Sequence, residues 1–549
     1  MTFSQDAKMI VADSARLFSQ KQPLLSLWQE IAEHFYPERA DFTYRRWLGE
    51  EFAEHLADSF PVMVRRDLGN SIGSMLRPAG QDWGSMTVAK EDALGNDSKR
   101  WLEWAWDRQR GAMYQKGAHF TKATKEGDHD FATFGQAVIH VGPNQANTGP
   151  LYRANHLRDC AWQEGAEGSL DSIFVKRKLT ANTLHKLMRG NVHEKVTQMQ
   201  GTKEGMTEIE FQHIIVPADR YPEKANQLDW VSLIIDIENE FVMEAIPSRR
   251  FQYVVPRWST VAGSQYAFSP ASIIALPDAR TVQSIGLTLL QAGELAVMPP
   301  LIATQEAIRS DMAVYPGGVT WVDAEYDEKL GEALRPLSQN HNLPLGFELA
   351  DRQKEQLRDA FYLNQISGMP MLDKDMTAYE ASQHVQNYIR QARPLFEPME
   401  TEYNAALCEE TFELILWSGG FGAFADIPEQ LQEAEIEFKF KTPLHDAENN
   451  EKGNLFLEMV AMTEPAAQLD PNISLNIDVN SAFRDALEGK EIPAEWLFDE
   501  KIAAQRIASA QEQQAMAQQT EQMQGIAQAA ETAGRAGQEL NSAQQQHAI

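Results

Sequence analysis

Three short stretches of the sequence bring together residue types that can do chemistry, and the first has the spacing of a serine nucleophile. Gly69-Asn70-Ser71-Ile72-Gly73 matches G-x-S-x-G. In hydrolases that motif follows a strand, so that the serine oxygen is presented on a strained turn. Here the preceding Val62, Val64 and Leu68 recur at helical spacing instead. A hydrolase that uses Ser71 is therefore the weaker hypothesis.

The second stretch, Asp128-His129-Asp130, offers carboxylate and imidazole groups, which are common metal ligands. Neighbouring residues on a helix point in different directions, and no second cluster of ligands accompanies this one. We interpret the stretch as an exposed polar turn. The sequence predicts no metal site.

The third stretch, Lys176-Arg177-Lys178, is a basic triplet beside a predicted strand. We interpret it as a solvated strand edge rather than a DNA site. No G-x-x-x-x-G-K-[ST] motif for nucleotide phosphates occurs, because Gly489-Lys490 is followed by Glu491. The zinc motif H-E-x-x-H is absent too. The absence of the phosphate-binding motif argues against an ATP-driven motor. The sequence predicts no enzyme and no cofactor.

The overall charge is strongly acidic, with 49 Lys+Arg against 79 Asp+Glu and a formal net charge of −30. Such a surface repels phosphate, so tight wrapping of nucleic acid is not expected, although DNA can still pass close by. Cys160 and Cys408 lie far apart and predict neither a disulfide framework nor a zinc site. The sequence starts without a signal-peptide pattern and has no apolar run near the roughly 18 residues of a membrane helix. We expect a soluble intracellular protein without membrane contact.

The longest helical pattern runs from Thr377 to Trp417 and is expected to organise the chain. Thr377 and Glu380 form a capping box at its start. Pro394 and Pro398 lie inside it and predict a bend, because each lacks an N–H group and crowds the preceding turn. A helix of this length is more typical of a structural strut than of a catalytic element.

Shorter patterns predict a β-containing body between helical arms. The predicted helices are 13–36, 59–76, 100–135, 277–298 and 347–366. The predicted strands are 137–141, 172–175, 208–216, 231–237, 251–255, 319–322 and 434–441. Trp83 is expected to anchor the core. From Lys501 the sequence is rich in Gln and Ala, which favours a helix with too little apolar surface to hold itself against a core unless several copies pack together. Beyond about Gly534 we favour a disordered tail.

The order of these segments resembles the portal (head-to-tail connector) proteins of short-tailed, double-stranded DNA bacteriophages. The matching stretches run from about residue 13 to 510, and the ordered set carries the resemblance. They are LADSFPVMVRRDLGNSIGSMLRPAGQDW, FATFGQAVIHV, VVPRW followed by YAFSP, LPDARTVQSIGLTLLQAGELAVMPPL, MTAYEASQHVQNYIRQARPLFEPM and FKTPLHDAEN.

The resemblance implies an α+β, mainly helical portal fold, assembled as a ring of about twelve subunits at one capsid vertex. In that fold each subunit has a wing, a stem of two helices, a clip and a crown. The implied parts are the wing at 1–276 and 377–495, stem helices at 277–300 and 344–366, the clip at 301–343, a tunnel loop at 367–376, and a crown or barrel helix with a flexible tail at 496–549.

The resemblance also implies partners: double-stranded DNA that passes without sequence specificity, a terminase ATPase, major capsid and scaffolding proteins, and tail or adaptor proteins. It places the protein in the virion after assembly in the host cytoplasm. In the implied tunnel loop, Met371, Leu372 and above all Lys374 would approach the DNA. In the implied clip, Tyr315, Pro316 and Trp321 would meet the docking partners. An acidic helical scaffold or adaptor without a DNA channel is the alternative.

Overall fold

The computed structural model describes a body of mixed helix and sheet together with a second compact unit. It describes residues 4–303, 334–336, 343–364, 399–440, 455–463, 465 and 478–489, apart from gaps at 48, 54–55, 79, 90–93, 225, 298–300 and 433. It also describes scattered positions between 496 and 535. The first unit comprises Met1–Gly84, Asp107–Gly422 and Phe438–Ala447. The second comprises Ser85–Trp106, Ala423–Glu437 and Glu448–Ile549.

The described α-helices have the following bounds. They are α1 (Gln5–Gln20), α2 (Gln22–Phe35), α3 (Phe60–Leu76), α4 (Asn96–Met113), α5 (Phe120–Phe134), α6 (Ala181–Leu187), α7 (Glu194–Met199), α8 (Leu276–Val297), α9 (Leu343–Ala360), α10 (Ala406–Trp417) and α11 (Val479–Gly489). The predicted helices at 59–76 and 277–298 are confirmed as α3 and α8.

Two predicted helices are each divided in the structure. The helix predicted at 13–36 belongs to α1 and α2, which meet at Lys21, because Pro23 lies at the second position of α2 and is best tolerated in a first turn. The helix predicted at 100–135 is divided between α4 and α5 by a turn that ends at His119, whose φ of 57° is left-handed. The apolar period of the sequence continues through both breaks, so it did not reveal them.

The end of α9 also differs from its prediction. The helix begins at Leu343 and ends at Ala360, whereas the sequence predicted 347–366. Tyr362 takes a left-handed φ of 57°, which an α-helix does not allow. The chain therefore turns away from the helix at this point.

The structure describes twelve strands. Eight of them form two antiparallel sheets in the first unit. The strand bounds are β1 (Gly84–Val88), β2 (Ile139–Pro143), β3 (Pro150–Ala154), β4 (Cys160–Glu164), β5 (Leu170–Thr180), β6 (Glu208–Pro217), β7 (Trp230–Asp236), β8 (Phe241–Ser248), β9 (Tyr253–Val254), β10 (Leu301–Ala303), β11 (Leu334–Pro336) and β12 (Ile436–Phe440). One sheet has the order β4-β5-β6-β7-β8 and the other the order β3-β2-β9. The predicted strands near 139, 172, 208, 231, 251 and 436 are confirmed, whereas β1, β3, β4, β8, β10 and β11 were not predicted.

Both faces of the five-stranded sheet are covered, as the alternation along β5 illustrates. Ile173 and Val175 point into the main core with α2, α3 and α5. Phe174 points to the opposite face, where it packs with Ile10 and Leu17 of α1. Because neighbouring side chains of a strand alternate between faces, one apolar run can serve both layers. Trp83 is buried, as predicted.

Of the long helix predicted at 377–417, the structure describes the part from Met399 onward. A single π-helical turn, Glu400–Ala405, leads into α10. The helix ends before Gly419, whose φ of 75° suits glycine, and this confirms the predicted stop. Thr377, Glu380, Pro394 and Pro398 lie outside the described residues, so the capping box and the bend stay predictions. The same holds for the strand at 319–322.

Candidate functional site

Helices α8 and α9 form an antiparallel pair in the first unit and coincide with most of the two stem helices that the resemblance implies. Close packing between the C-terminal half of α8 and the first turn of α9 depends on Gly346, since a Cβ there would lie 2.6 Å from Cδ2 of Leu289. At the other end, Gln283 of α8 and Lys354 of α9 both contact Asp58. The pair is therefore aligned by one glycine contact and one shared polar anchor.

The polar anchor is a short segment, residues 57–60, which we call the clasp. The amide Oε1 of Gln283 accepts hydrogen bonds from the backbone N–H groups of Ala57 and Asp58 at 2.7 and 2.9 Å. Gln283 Nε2 returns a bond to the Asp58 carbonyl oxygen at 2.7 Å. Lys354 Nζ lies 2.7 Å from the Asp58 carboxylate and above the ring of Phe60. The clasp thus fixes both helices to the loop that leads into α3.

Beyond the clasp, the pair presents large apolar side chains to solvent. On α8, the exposed fractions of Leu287 and Leu290 are 52% and 59%, and Leu295 and Val297 are exposed as well. At the same end of the pair, α9 exposes Leu345, Phe347 and Leu349. From Thr281 to Val297, helix α8 carries a single charged residue, Glu294. A helix surface this apolar is typical of a face that another protein surface covers.

The segment from Met399 to Trp417 is fastened to the body along its length, in contrast to the α8–α9 pair. Arg257 bonds both carboxylate oxygens of Glu402 at 3.1 Å. Further along, Arg250 lies 3.1 Å from the Glu410 carboxylate. Burial raises the pKa of Glu410 to about 7, and Arg250 opposes that rise. These contacts bind successive turns of the segment to strands and loops of the body.

A buried ion pair completes this fastening. The Arg77 guanidinium, at the end of α3, pairs with the Asp128 carboxylate of α5, and their side chains are 3% and 5% exposed. Arg77 also donates to Asn404 Oδ1 at 2.5 Å and lies 4.7 Å from the centre of the Tyr403 ring. Burial raises the pKa of the Asp128 carboxyl, while Arg77 acts against that rise. One arginine therefore links α3, α5 and the π-helical turn.

The interpretation of Asp128-His129-Asp130 as an exposed turn is wrong, because all three residues are buried within α5. Asp128 pairs with Arg77, and Asp130 accepts from Arg39 at 2.7 and 3.1 Å. The His129 ring lies 3.2 Å from Arg65. Burial and the Arg65 charge lower the pKa of His129 to about 4, so this ring is neutral at neutral pH. In the part of the chain that the structure describes, no group of three or more His, Cys, Asp or Glu residues could hold a metal ion.

The G-x-S-x-G stretch is helical, as its period predicted, and its glycines serve packing. A Cβ on Gly69 would collide with the His129 ring, and one on Gly73 would lie 2.8 Å from Asp128 Oδ2. Ser71 Oγ donates to the Asp67 carbonyl oxygen at 2.8 Å, one turn back on the same helix. The two glycines let α3 and α5 approach closely enough for the buried ion pair to form. This geometry gives no support to a nucleophilic Ser71.

Lys176-Arg177-Lys178 lie on β5 beyond the end of β4, whose pairing with β5 stops at Val175, and they pair with β6 alone. This part of β5 is therefore a strand edge, as predicted, and its cations are partly or fully exposed. Lys176 Nζ lies 4.1 Å from the centre of the Phe18 ring, Arg177 donates to the Tyr253 hydroxyl at 3.1 Å, and Lys178 pairs with Glu210. Each cation is used within the fold.

One buried cation had no signal in the sequence. Lys21, at the junction of α1 and α2, donates from Nζ to the carbonyl oxygens of Leu157, at 2.6 Å, and Arg158, at 3.2 Å, and also to that of Cys160. Burial lowers the pKa of Lys21 to about 7. These hydrogen bonds fix the junction of α1 and α2 to the turn that precedes β4. Cys160 and Cys408 are both buried free thiols.

Comparison with known proteins connects this architecture to one family. Residues 8–497 match the sequence model of the family described as Bacteriophage head to tail connecting protein. The chain belongs to that family. A relative, "Probable portal protein" of Bordetella phage BPP-1, is 22% identical over 510 residues, which cover 87% of this chain and 86% of that protein.

Solved structures of gene transfer agent (GTA) particles are also similar to the chain. A chain of "Virion of native gene transfer agent (GTA) particle" is 11% identical, with a TM-score of 0.36, over 79% of this chain and 95% of its own length. A chain of "Neck of native GTA particle computed with C12 symmetry" is 10% identical, with a TM-score of 0.36, over 73% of this chain and 85% of its own length. Of the described helices, none is both long enough and apolar enough to span a membrane.

The residues that the resemblance implied for DNA and partner contacts lie outside the described residues of this family member. They are Met371, Leu372 and Lys374 of the implied tunnel loop, and Tyr315, Pro316 and Trp321 of the implied clip. The structure describes short strands near both ends of the implied clip, where Leu301–Ala303 pairs with Leu334–Pro336. Among the described residues, the exposed apolar end of the α8–α9 pair is a candidate contact surface.

Proposed function

We propose that this chain is a portal protein whose copies form a ring around an axial channel at one capsid vertex. Viral DNA is packaged and ejected through that channel. Membership of the head to tail connecting family supports the proposal, as does the relative described as a probable portal protein. The role is structural: a separate terminase ATPase docks during packaging, and tail or adaptor proteins replace it later.

The apolar end of α8 is the observation on which ring formation depends. Leu287 and Leu290 each leave about half of their side-chain surface in water. Covering the remainder would contribute roughly 1 kcal/mol for each leucine. A copy of the same chain is the occupant we propose, and a head-to-tail contact of this kind closes a ring when it is repeated by rotation, here of about twelve subunits.

The acidic composition suits a channel that lets DNA slide. Each phosphate that a protein neutralises adds salt-dependent adhesion, so a strongly basic wall would hold the duplex in place. A net charge of −30 disfavours such adhesion. We propose that Lys374, between Asp373 and Asp375, supplies one of the few basic contacts, with Met371 and Leu372 beside it in a tunnel loop at 367–376.

The remaining segments take the roles that follow from this arrangement. We propose the wing at 1–276 and 377–495, the stem at 277–300 and 344–366, the clip at 301–343, and a crown from 496 onward. Tyr315, Pro316 and Trp321 of the clip would meet terminase and tail proteins. The wing would meet capsid and scaffolding proteins during assembly in the host cytoplasm, and the assembled ring stays in the virion of a short-tailed phage.

Particle images of the purified protein test the proposal directly. We expect rings with an axial hole in negative stain, and a mass near that of about twelve subunits by mass photometry. Leu287→Glu should prevent assembly, because it places a charge in the apolar contact. Thr281→Glu is the matched control, since it adds the same charge to an exposed position of the same helix about six residues earlier, and it should assemble normally. Compact particles without a hole would favour the scaffold or adaptor, and a monomer at every concentration would contradict the ring.

A second experiment tests the tunnel loop. Lys374→Glu should leave ring assembly intact and change DNA packaging or DNA retention, because it removes a phosphate contact and adds repulsion. Loss of the ring in this variant would instead assign Lys374 to assembly.

A further inference from the structure

The loop from Thr43 to Ala53, which we call the Trp47 loop, exposes three large aromatic side chains. It begins after Phe42, which is buried in the main core, and ends shortly before the clasp. Tyr44 and Phe52 are exposed, and Trp47 is 85% exposed. Tryptophan rarely remains this accessible in a folded protein, and it is among the residues that contribute most energy to protein interfaces.

Two hydrogen bonds within the loop join Trp47 to Glu50. The Glu50 N–H donates to the Trp47 carbonyl oxygen at 3.2 Å, and the Trp47 N–H donates to Glu50 Oε2 at 3.0 Å. Gly49, the third residue of the turn, has a φ of 92°, which glycine adopts without strain. These two bonds constrain the backbone of Trp47, and such a constraint lowers the entropy cost of binding.

The neighbouring Arg46 has hydrogen-bond donors without an acceptor. Its guanidinium carbon lies 5.1 Å from the centre of the Phe52 ring. Its Nε and Nη1 atoms are shielded from water and have no hydrogen-bond partner in the structure as described. Buried donors of this kind are costly to leave unpaired. A carboxylate on a surface that covers Trp47 would attract the Arg46 guanidinium, whose side chain would have to shift to meet it.

We propose that the Trp47 loop docks on a second copy of this chain, with the indole in an apolar pocket and Arg46 paired with an acidic side chain there. Charge favours this occupant, because the chain carries 79 acidic against 49 basic residues while Arg45 and Arg46 adjoin the exposed indole. The loop also continues directly into the clasp that holds α8, the helix proposed to form the ring contact. This inference rests on the proposed ring and names a contact that closes it.

Two pairs of variants test the contact in the full-length protein. Trp47→Ala should raise the protein concentration at half assembly at least tenfold, whereas Met206→Ala, which removes an apolar side chain that is 75% exposed elsewhere, should change it less than twofold. Arg46→Gln should weaken assembly at least fivefold. Arg45→Gln, which makes the same change in net charge one residue earlier, should have a smaller effect. Circular dichroism of all four variants should match the wild type.

Site-specific photo-crosslinking identifies the occupant. A photoreactive amino acid in place of Trp47 should join two copies of this chain in rings and in assembled capsids. A crosslink to a capsid or scaffolding protein instead would overturn the proposal. If the wild type forms rings and Trp47→Ala forms them equally well, this inference alone fails. If the wild type forms no ring, the proposed function fails with it.

Discussion

Replacing Asp128 by Asn tests the buried ion pair that fastens α3, α5 and the π-helical turn together. The change keeps the size of the side chain and an oxygen that can accept from Arg77, so it removes charge with little change in packing. Arg77 would remain almost fully buried, with the neutral Asn404 amide and the Tyr403 ring as its other close contacts. Its charge would then lack compensation within the core.

The expected cost follows from the burial of both partners. Removing one member of a buried ion pair typically costs 3–5 kcal/mol, because the remaining charge is left without compensation. The retained hydrogen bond places Asp128→Asn near the lower end, at about 3 kcal/mol. A matched control is Asp67→Asn, because Asp67 lies 3.8 Å from Arg66 and both side chains are more than half exposed. An exposed pair of this kind should contribute less than about 1 kcal/mol.

Hydrogen–deuterium exchange measures this cost locally, which suits a chain too large for simple two-state unfolding. Peptides that cover α5 should exchange roughly a hundredfold faster in Asp128→Asn, which corresponds to about 3 kcal/mol. In Asp67→Asn the same peptides should change less than about fivefold. Equal protection of α5 in the two variants would refute the argument that the Arg77–Asp128 pair stabilises this part of the body.

Two further predictions concern Lys21 and Gly73. The pKa of Lys21, about 7 in the native state against 10.5 ordinarily, means that the folded chain binds fewer protons than the unfolded chain between these values. Stability should therefore rise with pH in that window. Between pH 7 and 9, exchange protection of peptides that cover α1 and α2 should rise by up to about 1.4 kcal/mol per pH unit relative to Lys21→Met at the same pH. Gly73→Ala should cost about 1–3 kcal/mol, because its Cβ would crowd the fixed Asp128 carboxylate. Gly111→Ala, on α4 with open space around it, should instead be neutral or stabilising by up to about 1 kcal/mol. Exchange of peptides that cover α3 and α4 measures both.

Local patterns predicted the elements whose cause is local. The apolar period of α3 and α8, the glycines after α10 and the β-branched runs of β6 and β7 each predicted an element that the structure contains. The break at His119 could not be predicted from periodicity, because the apolar spacing continues on both sides of it. The strands β3 and β4 are short and pair in ways that only the tertiary fold determines.

The acidic stretch was misread because it was judged without its partners. Asp128 and Asp130 are polar in sequence, yet they are buried because Arg77 and Arg39 reach them from other segments. Gly69 and Gly73 fit a nucleophile elbow in spacing, but the helical period correctly argued against one, and in the structure they make room for α5. Buried charges are found paired, so an acidic cluster on a helix with an apolar period is a reason to look for distant arginines.

The described part of the chain uses its polar and apolar groups in two different ways. The segment from Met399 to Trp417 is held inside the body by arginine pairs with Glu402, Asn404 and Glu410, which fix its geometry within a single copy. The α8–α9 pair and the Trp47 loop instead leave leucines and aromatic side chains in solvent. With a net charge of −30 on every copy, long-range repulsion opposes the proposed assembly, so apolar contacts, aided by local pairs such as the one proposed for Arg46, would have to overcome it. In the proposed ring, the exposed leucines and Trp47 would supply the energy of assembly, whereas the buried arginines fix the geometry within each copy.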